Sequence, residues 1–136
     1  MLKKLFLSFA VLGVAVALAA CTPSPATTNQ AEAASVADWL TQSGVKMYGA
    51  WWCPHCADQK AIFGDAFKKV TYIECANPDK SQNATCQAAG IQSYPTWQFA
   101  DGTRVSQVLT IDQLKQKSNY PGSNGTAGPT APVTTQ

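Results

Sequence analysis

Cys53 and Cys56 stand three positions apart in the run Trp51-Trp52-Cys53-Pro54-His55-Cys56. Two thiols at that spacing can close into a disulfide and reopen. Thiol–disulfide exchange needs a thiolate that can be reached and a second thiol placed to displace whatever the first has captured. The residues before the pair are apolar and β-rich and those after it are helix-forming, so Cys53 is expected where a strand gives way to a helix. A helix amino end presents unpaired N–H groups and positive potential, which favour thiolate over thiol. Pro54 suits the first helical position, where no donor is wasted. His55 adds a donor beside the sulfur, and a positive charge when protonated. Attacking thiols in such settings ionise with a pKa of about 3.5–7.5. Cys53 is therefore the expected nucleophile and Cys56 the resolving thiol, with Pro54 and His55 tuning them.

The same spacing serves as half of a zinc site, with Cys75 and Cys86 as further sulfurs. Structural zinc pairs sit on turns, however, and this pair opens an amphipathic helix. Cys75 and Cys86 are also too far apart in sequence for the usual second half of such a site. Redox chemistry is the reading taken here, with no metal and no cofactor, and a Cys/His metal-binding module is the non-enzyme alternative.

The elements that must hold this pair follow from the hydrophobic periods. Ser35 precedes Val36, Trp39 and Leu40, a short helix with Asp38 in the capping-box place. Val45–Ala50 reads as a buried strand. Ile62, Phe63, Ala66, Phe67 and Val70 fall on one face of the helix begun at Pro54, with Lys68 and Lys69 where a carboxyl end favours cations. Thr71–Cys75 is β-rich, and a short helix runs through Cys86. Thr96–Ala100 and Thr103–Leu109 flank Asp101-Gly102, a hairpin signal. Ile111, Leu114 and Lys115 begin a last helix. A β-α-β unit, a hairpin and a closing helix predict an α/β fold, a four-stranded mixed sheet flanked by helices. That is the layout of thioredoxin.

The ends read differently. Residues 1–20 begin with Lys3 and Lys4 and continue as the apolar run Leu5–Ala20, short for a membrane span and shaped like a secretory signal. The run closes as Leu18-Ala19-Ala20-Cys21, which resembles the bacterial lipobox. That resemblance implies cleavage before Cys21 and its lipidation, hence an anchor in the cell-envelope membrane with the domain on the periplasmic or extracytoplasmic side. Removing Cys21 leaves four cysteines, an even number in a compartment where disulfides persist. Residues 21–34 read as the lipidated cysteine and a flexible tether, 35–118 as the folded domain, and 119–136 as a disordered tail without charge. Beyond the two signal lysines, eight basic residues balance eight acidic ones and there is a single arginine. A nucleic-acid binder needs a clustered basic footprint, so that class is excluded.

Tyr48-Gly49-Ala50-Trp51-Trp52-Cys53-Pro54-His55-Cys56, Gln59-Lys60, Phe63-Gly64, Tyr72-Ile73-Glu74-Cys75, Cys86, Gly90-Ile91 and Tyr94-Pro95-Thr96-Trp97 resemble the thioredoxin-like domain fused to bacterial and plant homologues of vitamin K epoxide reductase. The resemblance spans about 45–114. It implies that Cys53 and Cys56 take electrons from exported protein thiols and pass them to a quinone-linked membrane partner, here a separate protein. It matches the family's additional pair to Cys75 and Cys86, which reads as a structural disulfide, with an electron relay as the alternative. In the thioredoxin superfamily a cis-proline at the place of Pro95 lies against the redox pair, and the residue before it, here Tyr94, offers its backbone to substrate. Trp52 would join them in an apolar docking surface. One departure is chemical: ordinary thioredoxins carry a buried acid where this chain has Met47, so proton removal from Cys56 must use another group or water. Net oxidation of substrate thiols is the favoured direction, and an envelope disulfide reductase the alternative.

Overall fold

The structure, a computed structural model, describes residues 25–121 and 123. The expected signal at 1–20, the lipidation site Cys21 and the tail from 124 onward lie outside those residues. In chain order the elements are α1 (Pro25–Gln42), β1 (Lys46–Gly49), α2 (Pro54–Phe63), a 3₁₀ segment (Gly64–Lys69), β2 (Tyr72–Glu74), α3 (Ala84–Ala88), β3 (Thr96–Gln98), β4 (Arg104–Val105) and α4 (Ile111–Lys117). The strands lie in the order β2-β1-β3-β4. β1 runs parallel to β2 and antiparallel to β3, and β3 is antiparallel to β4. A parallel pair needs a crossover, and α2 supplies it. The result is the expected α/β architecture, a mixed four-stranded sheet flanked by helices in the thioredoxin-like layout.

Successive side chains of a strand point to opposite faces, and β1 is buried on both. Met47 packs with Trp97, Phe63, Leu40 and Leu114, under α1, α2 and α4. Tyr48 packs on the other side with Cys75, Cys86 and Ile91, beside α3. The redox pair belongs to the first cluster and the second cysteine pair to the other.

α1 begins at Pro25, inside the segment expected as a tether. Ser35 is not its cap: the hydroxyl donates to the carbonyl of Ala31, one turn back within the helix. Alanine is the best helix former, and Ala33, Val36, Ala37 and Leu40 recur at helical spacing as a buried stripe. Small side chains gave this stripe the composition of a linker. Asp38, expected in a capping box, pairs instead with Lys69 at 2.6 Å, and Glu32 reaches Lys115 of α4 at 2.6 Å.

α2 is shorter than its apolar pattern. Gly64, at φ +55°, ends it, and the chain tightens into the 3₁₀ segment. Phe63, Ala66 and Val70 stay buried and Phe67 packs on the core, but Ile62 is turned out, 38% exposed. The Asp101-Gly102 hairpin forms, with the Asp101 carboxylate accepting from the amide and hydroxyl of Thr103, although both strands are shorter than expected. α4 opens on a capping box between Thr110 and Gln113. Tyr120, in the stretch expected as tail, packs edge-on against Trp39 at 6.1 Å between ring centres.

Candidate active site

Cys53 is the N-cap of α2, with extended φ/ψ, and Pro54 is the first helical residue. The Cys53 carbonyl accepts from the amides of Cys56 and Ala57 at 3.1 and 3.2 Å, starting the helix. This geometry points the helix's amino end, where anions are favoured, toward the loop that carries the sulfur. Cys53 and Cys56 are both free thiols. Cys53 keeps 7% of its surface and Cys56 1%, so Cys53 is the sulfur that a partner meets first, through a narrower opening than its sequence context suggests. Around it Trp51 and Trp52 are 54% and 41% exposed.

The loop before β3 faces this sulfur. Tyr94–Pro95 is a cis peptide bond, and Cys53 Sγ donates to the Tyr94 carbonyl at 3.6 Å. Thr96 closes the loop by donating its hydroxyl to the carbonyl of Ser93 at 2.7 Å. The Tyr94 ring meets Trp52 edge-on at 6.2 Å, and its hydroxyl accepts from the Gln82 side chain at 2.8 Å. Trp52, Tyr94 and Pro95 are thus gathered around Cys53. His55 turns outward, its Nδ1 3.6 Å from the Asp58 carboxylate on the exposed face of α2.

Cys56 sits deeper. Burial pushes its thiol up to about 12, opposed by a hydrogen bond with the Ala50 backbone; its hydrogen bond to Cys53 and that neighbour's charge push the same way as burial, and Lys60 pulls down. A Cβ placed on Gly49 would lie 2.9 Å from Cys56 Sγ and 2.8 Å from the Tyr72 ring. Only glycine leaves the sulfur and the ring that room. Tyr72 donates its hydroxyl to Glu74 at 2.9 Å. Burial first, then this carboxylate, holds the Tyr72 phenol far above its usual range, so it stays neutral. Glu74 also accepts from the amides of Trp51 and Ala76, and Lys60 Nζ lies 4.1 Å from the Tyr72 ring centre.

The sequence assigned no role to Gly49, Gln59, Lys60, Tyr72 or Glu74. Gln59 is wholly buried in the middle of α2. Its amide donates to the Leu109 carbonyl at 2.9 Å and accepts from the Leu109 amide at 2.7 Å and the Trp97 indole at 3.1 Å. The signal for it was a glutamine at i+3 from Cys56 and i−4 from Phe63, on the buried face. Tyr72 and Glu74 could be found only from their shared side of β2, set by the register Met47 to Tyr72 and Gly49 to Glu74.

Cys75 and Cys86 are joined, with S–S 2.00 Å and Cα atoms 5.5 Å apart. Both are fully buried, and the bond ties the end of β2 to α3. Among the described residues, no cluster of three or more His, Cys, Asp or Glu side chains is arranged to hold a metal, and no helix is long and apolar enough to cross a membrane.

Two free thiols at the head of a helix, beside a cis-proline loop and on a mixed four-stranded sheet, define a thioredoxin-like domain with a disulfide-capable pair. No protein-family model matches the chain. It is 39% identical over 94 residues, 65% of its length, to the thiol-disulfide oxidoreductase LTO1 of Arabidopsis thaliana. The chain spans 24% of that protein. The likeness supports a thiol–disulfide redox role.

Proposed function

We propose that this chain is a thiol–disulfide oxidoreductase that oxidises the thiols of exported proteins. The observation that carries the reading is Cys53 at the head of α2, barely open to solvent and against the Tyr94 carbonyl, with the deeper Cys56 one turn behind it. A substrate thiolate attacks Cys53 of the oxidised pair and forms a mixed disulfide, and Cys56 leaves as a thiolate that takes up a proton. A second substrate thiolate then displaces Cys53. The substrate ends with a disulfide, and the pair carries its two electrons as two thiols. Tyr94 and Trp52 offer an extended chain a backbone acceptor and an apolar rim.

The lipobox-like Cys21 supports an envelope lipoprotein facing the periplasmic or extracytoplasmic side. The resemblance to domains fused to quinone-linked reductases supports reoxidation by such a membrane partner. Cys75–Cys86, buried on the opposite face of the sheet, is read as structural. Equilibration with glutathione buffers tests the direction. A potential above about −230 mV supports the oxidant, and one nearer the −270 mV of thioredoxin makes the protein a reductase. Failure of Cys53 and Cys56 to exchange with glutathione at all would overturn the redox reading.

A further inference from the structure

In a thioredoxin-like exchange the buried second thiol must lose or gain a proton each time it enters or leaves a disulfide. Met47 is wholly buried among apolar side chains and supplies no acceptor. The space above Gly49 supplies one. The point a Gly49 Cβ would occupy lies 2.9 Å from Cys56 Sγ and 3.1 Å from Tyr72 Oη. Thiol and phenol therefore border the same small space, the one that the absent side chain leaves open. Tyr72 gives its own hydrogen to Glu74, which leaves its oxygen free to accept a proton from that space.

We propose that Tyr72 and Glu74 form the proton relay of Cys56. The inference rests on the thiol–disulfide reading of the pair. When Cys56 resolves a mixed disulfide on Cys53, its sulfur bonds to Cys53 Sγ. The bond from Cys53 to the substrate sulfur breaks, and that sulfur leaves with the electron pair. The Cys56 proton passes to Tyr72 Oη as Tyr72 hands its own to Glu74 Oε2. The cysteine pair loses two electrons and the substrate disulfide gains them. In the oxidising direction the same steps run backwards, and the relay protonates the departing Cys56 sulfur.

The surrounding charges suit this assignment. Lys60 of α2 lies over the Tyr72 ring and favours negative charge nearby. Glu74 is half-buried and fixed by the Trp51 and Ala76 amides. Lys80 Nζ lies over the exposed Trp51, 5.8 Å from the centre of its ring. His55 and Asp58 pair with each other on the exposed face of α2.

The test uses the reduced full chain and the aromatic disulfide 5,5′-dithiobis(2-nitrobenzoate), followed by stopped flow. The first thionitrobenzoate released reports attack by Cys53, and the second reports resolution by Cys56. Tyr72→Phe keeps the ring beneath Lys60 and removes only the hydroxyl. Glu74→Gln keeps an oxygen for the two amides. Each is expected to leave the first release unchanged and to slow the second at pH 7 by about a hundredfold, the lower edge of a general acid–base contribution. The pH profile of the second release should move to higher pH, and the double variant should be no slower than either single one, as members of one relay. If Glu74→Gln fails to fold, Tyr72→Phe decides alone. A second release of unchanged rate and pH profile in Tyr72→Phe overturns the relay and leaves the redox pair standing. Absence of the first release in the unsubstituted chain overturns the redox reading itself, and the relay with it.

Discussion

The sulfur of Cys53 lies 3.6 Å from the carbonyl oxygen of Tyr94, 41 residues later in the chain. The contact joins the loop that begins α2 to the loop that begins β3. Cys53 keeps a narrow opening to solvent, while Cys56 is sealed beneath. The two thiols therefore have unequal parts. Cys56→Ser is expected to release one equivalent of thionitrobenzoate, keep the other on Cys53, and accumulate mixed disulfides with protein substrates. Cys53→Ser should release none over the same time. Equal reactivity of the two single variants would contradict this division.

Trp52 should matter to proteins and not to small disulfides. It is 41% exposed, beside the active sulfur, and held edge-on by Tyr94. Aromatic pairs of this kind contribute about 0.5–1.5 kcal/mol beyond their buried area. Trp52→Ala is expected to raise KM for a reduced unfolded protein several-fold while its exchange with glutathione disulfide stays as before. Steady-state oxidation of the protein substrate, set against stopped-flow exchange with the small one, separates the two effects.

Gln59 ties α2 to Trp97 of β3 and to the chain just before α4, through three buried hydrogen bonds. Leucine at this position fills much of the volume and satisfies none of those partners. An unsatisfied buried group costs about 1–3 kcal/mol, so Gln59→Leu is expected to destabilise the domain by about 3 kcal/mol or more. Urea unfolding measures it. A loss below about 1 kcal/mol would mean that the orphaned groups find other partners.

Much of this architecture was legible because its signals are local. Pro54 after Cys53 marks a helix start, Asp101-Gly102 a hairpin, and the apolar run from Val45 to Ala50 a buried strand. α1 was hidden because its buried face is largely alanine, and the same composition serves a linker. The early end of α2 turned on one glycine, Gly64, in a run whose apolar spacing continues past it. Tyr72 and Glu74 acquire meaning only when β2 is set beside β1, since neither is near Cys56 in the chain. Register is a long-range property, and hydrophobic period alone does not report which sulfur lies under which ring.

The bond between Cys75 and Cys86 closes a short loop, with a sequence separation of 11. In the chain-entropy account a loop of this size contributes about 3 kcal/mol. Both sulfurs are fully buried on the face away from the redox pair. The Cys75→Ala/Cys86→Ala double variant is therefore expected to lose stability of that order by urea unfolding while both releases of thionitrobenzoate keep their rates. Reduction of Cys75–Cys86 during turnover of the unsubstituted chain, seen by thiol labelling and mass mapping, would instead make it an electron carrier.

Cys56 also ties stability to pH in the reduced protein alone. Burial raises its thiol from 9.0 to about 12 in the folded state. A group whose folded pKa is raised holds its proton more tightly when folded, so its contribution is complete below the unfolded value and fades as the pH climbs. Between about pH 9 and 12 the unfolded chain ionises this thiol and the folded chain does not, which draws the equilibrium toward unfolding. The reduced protein is therefore expected to lose stability from pH 9 upward faster than Cys56→Ser, which has no thiol to ionise there. Urea midpoints of the two proteins at pH 7 and pH 10 should diverge only at the higher pH. Parallel pH curves would mean that the Cys56 thiol is hydrated in the folded state and no harder to ionise than in an open chain.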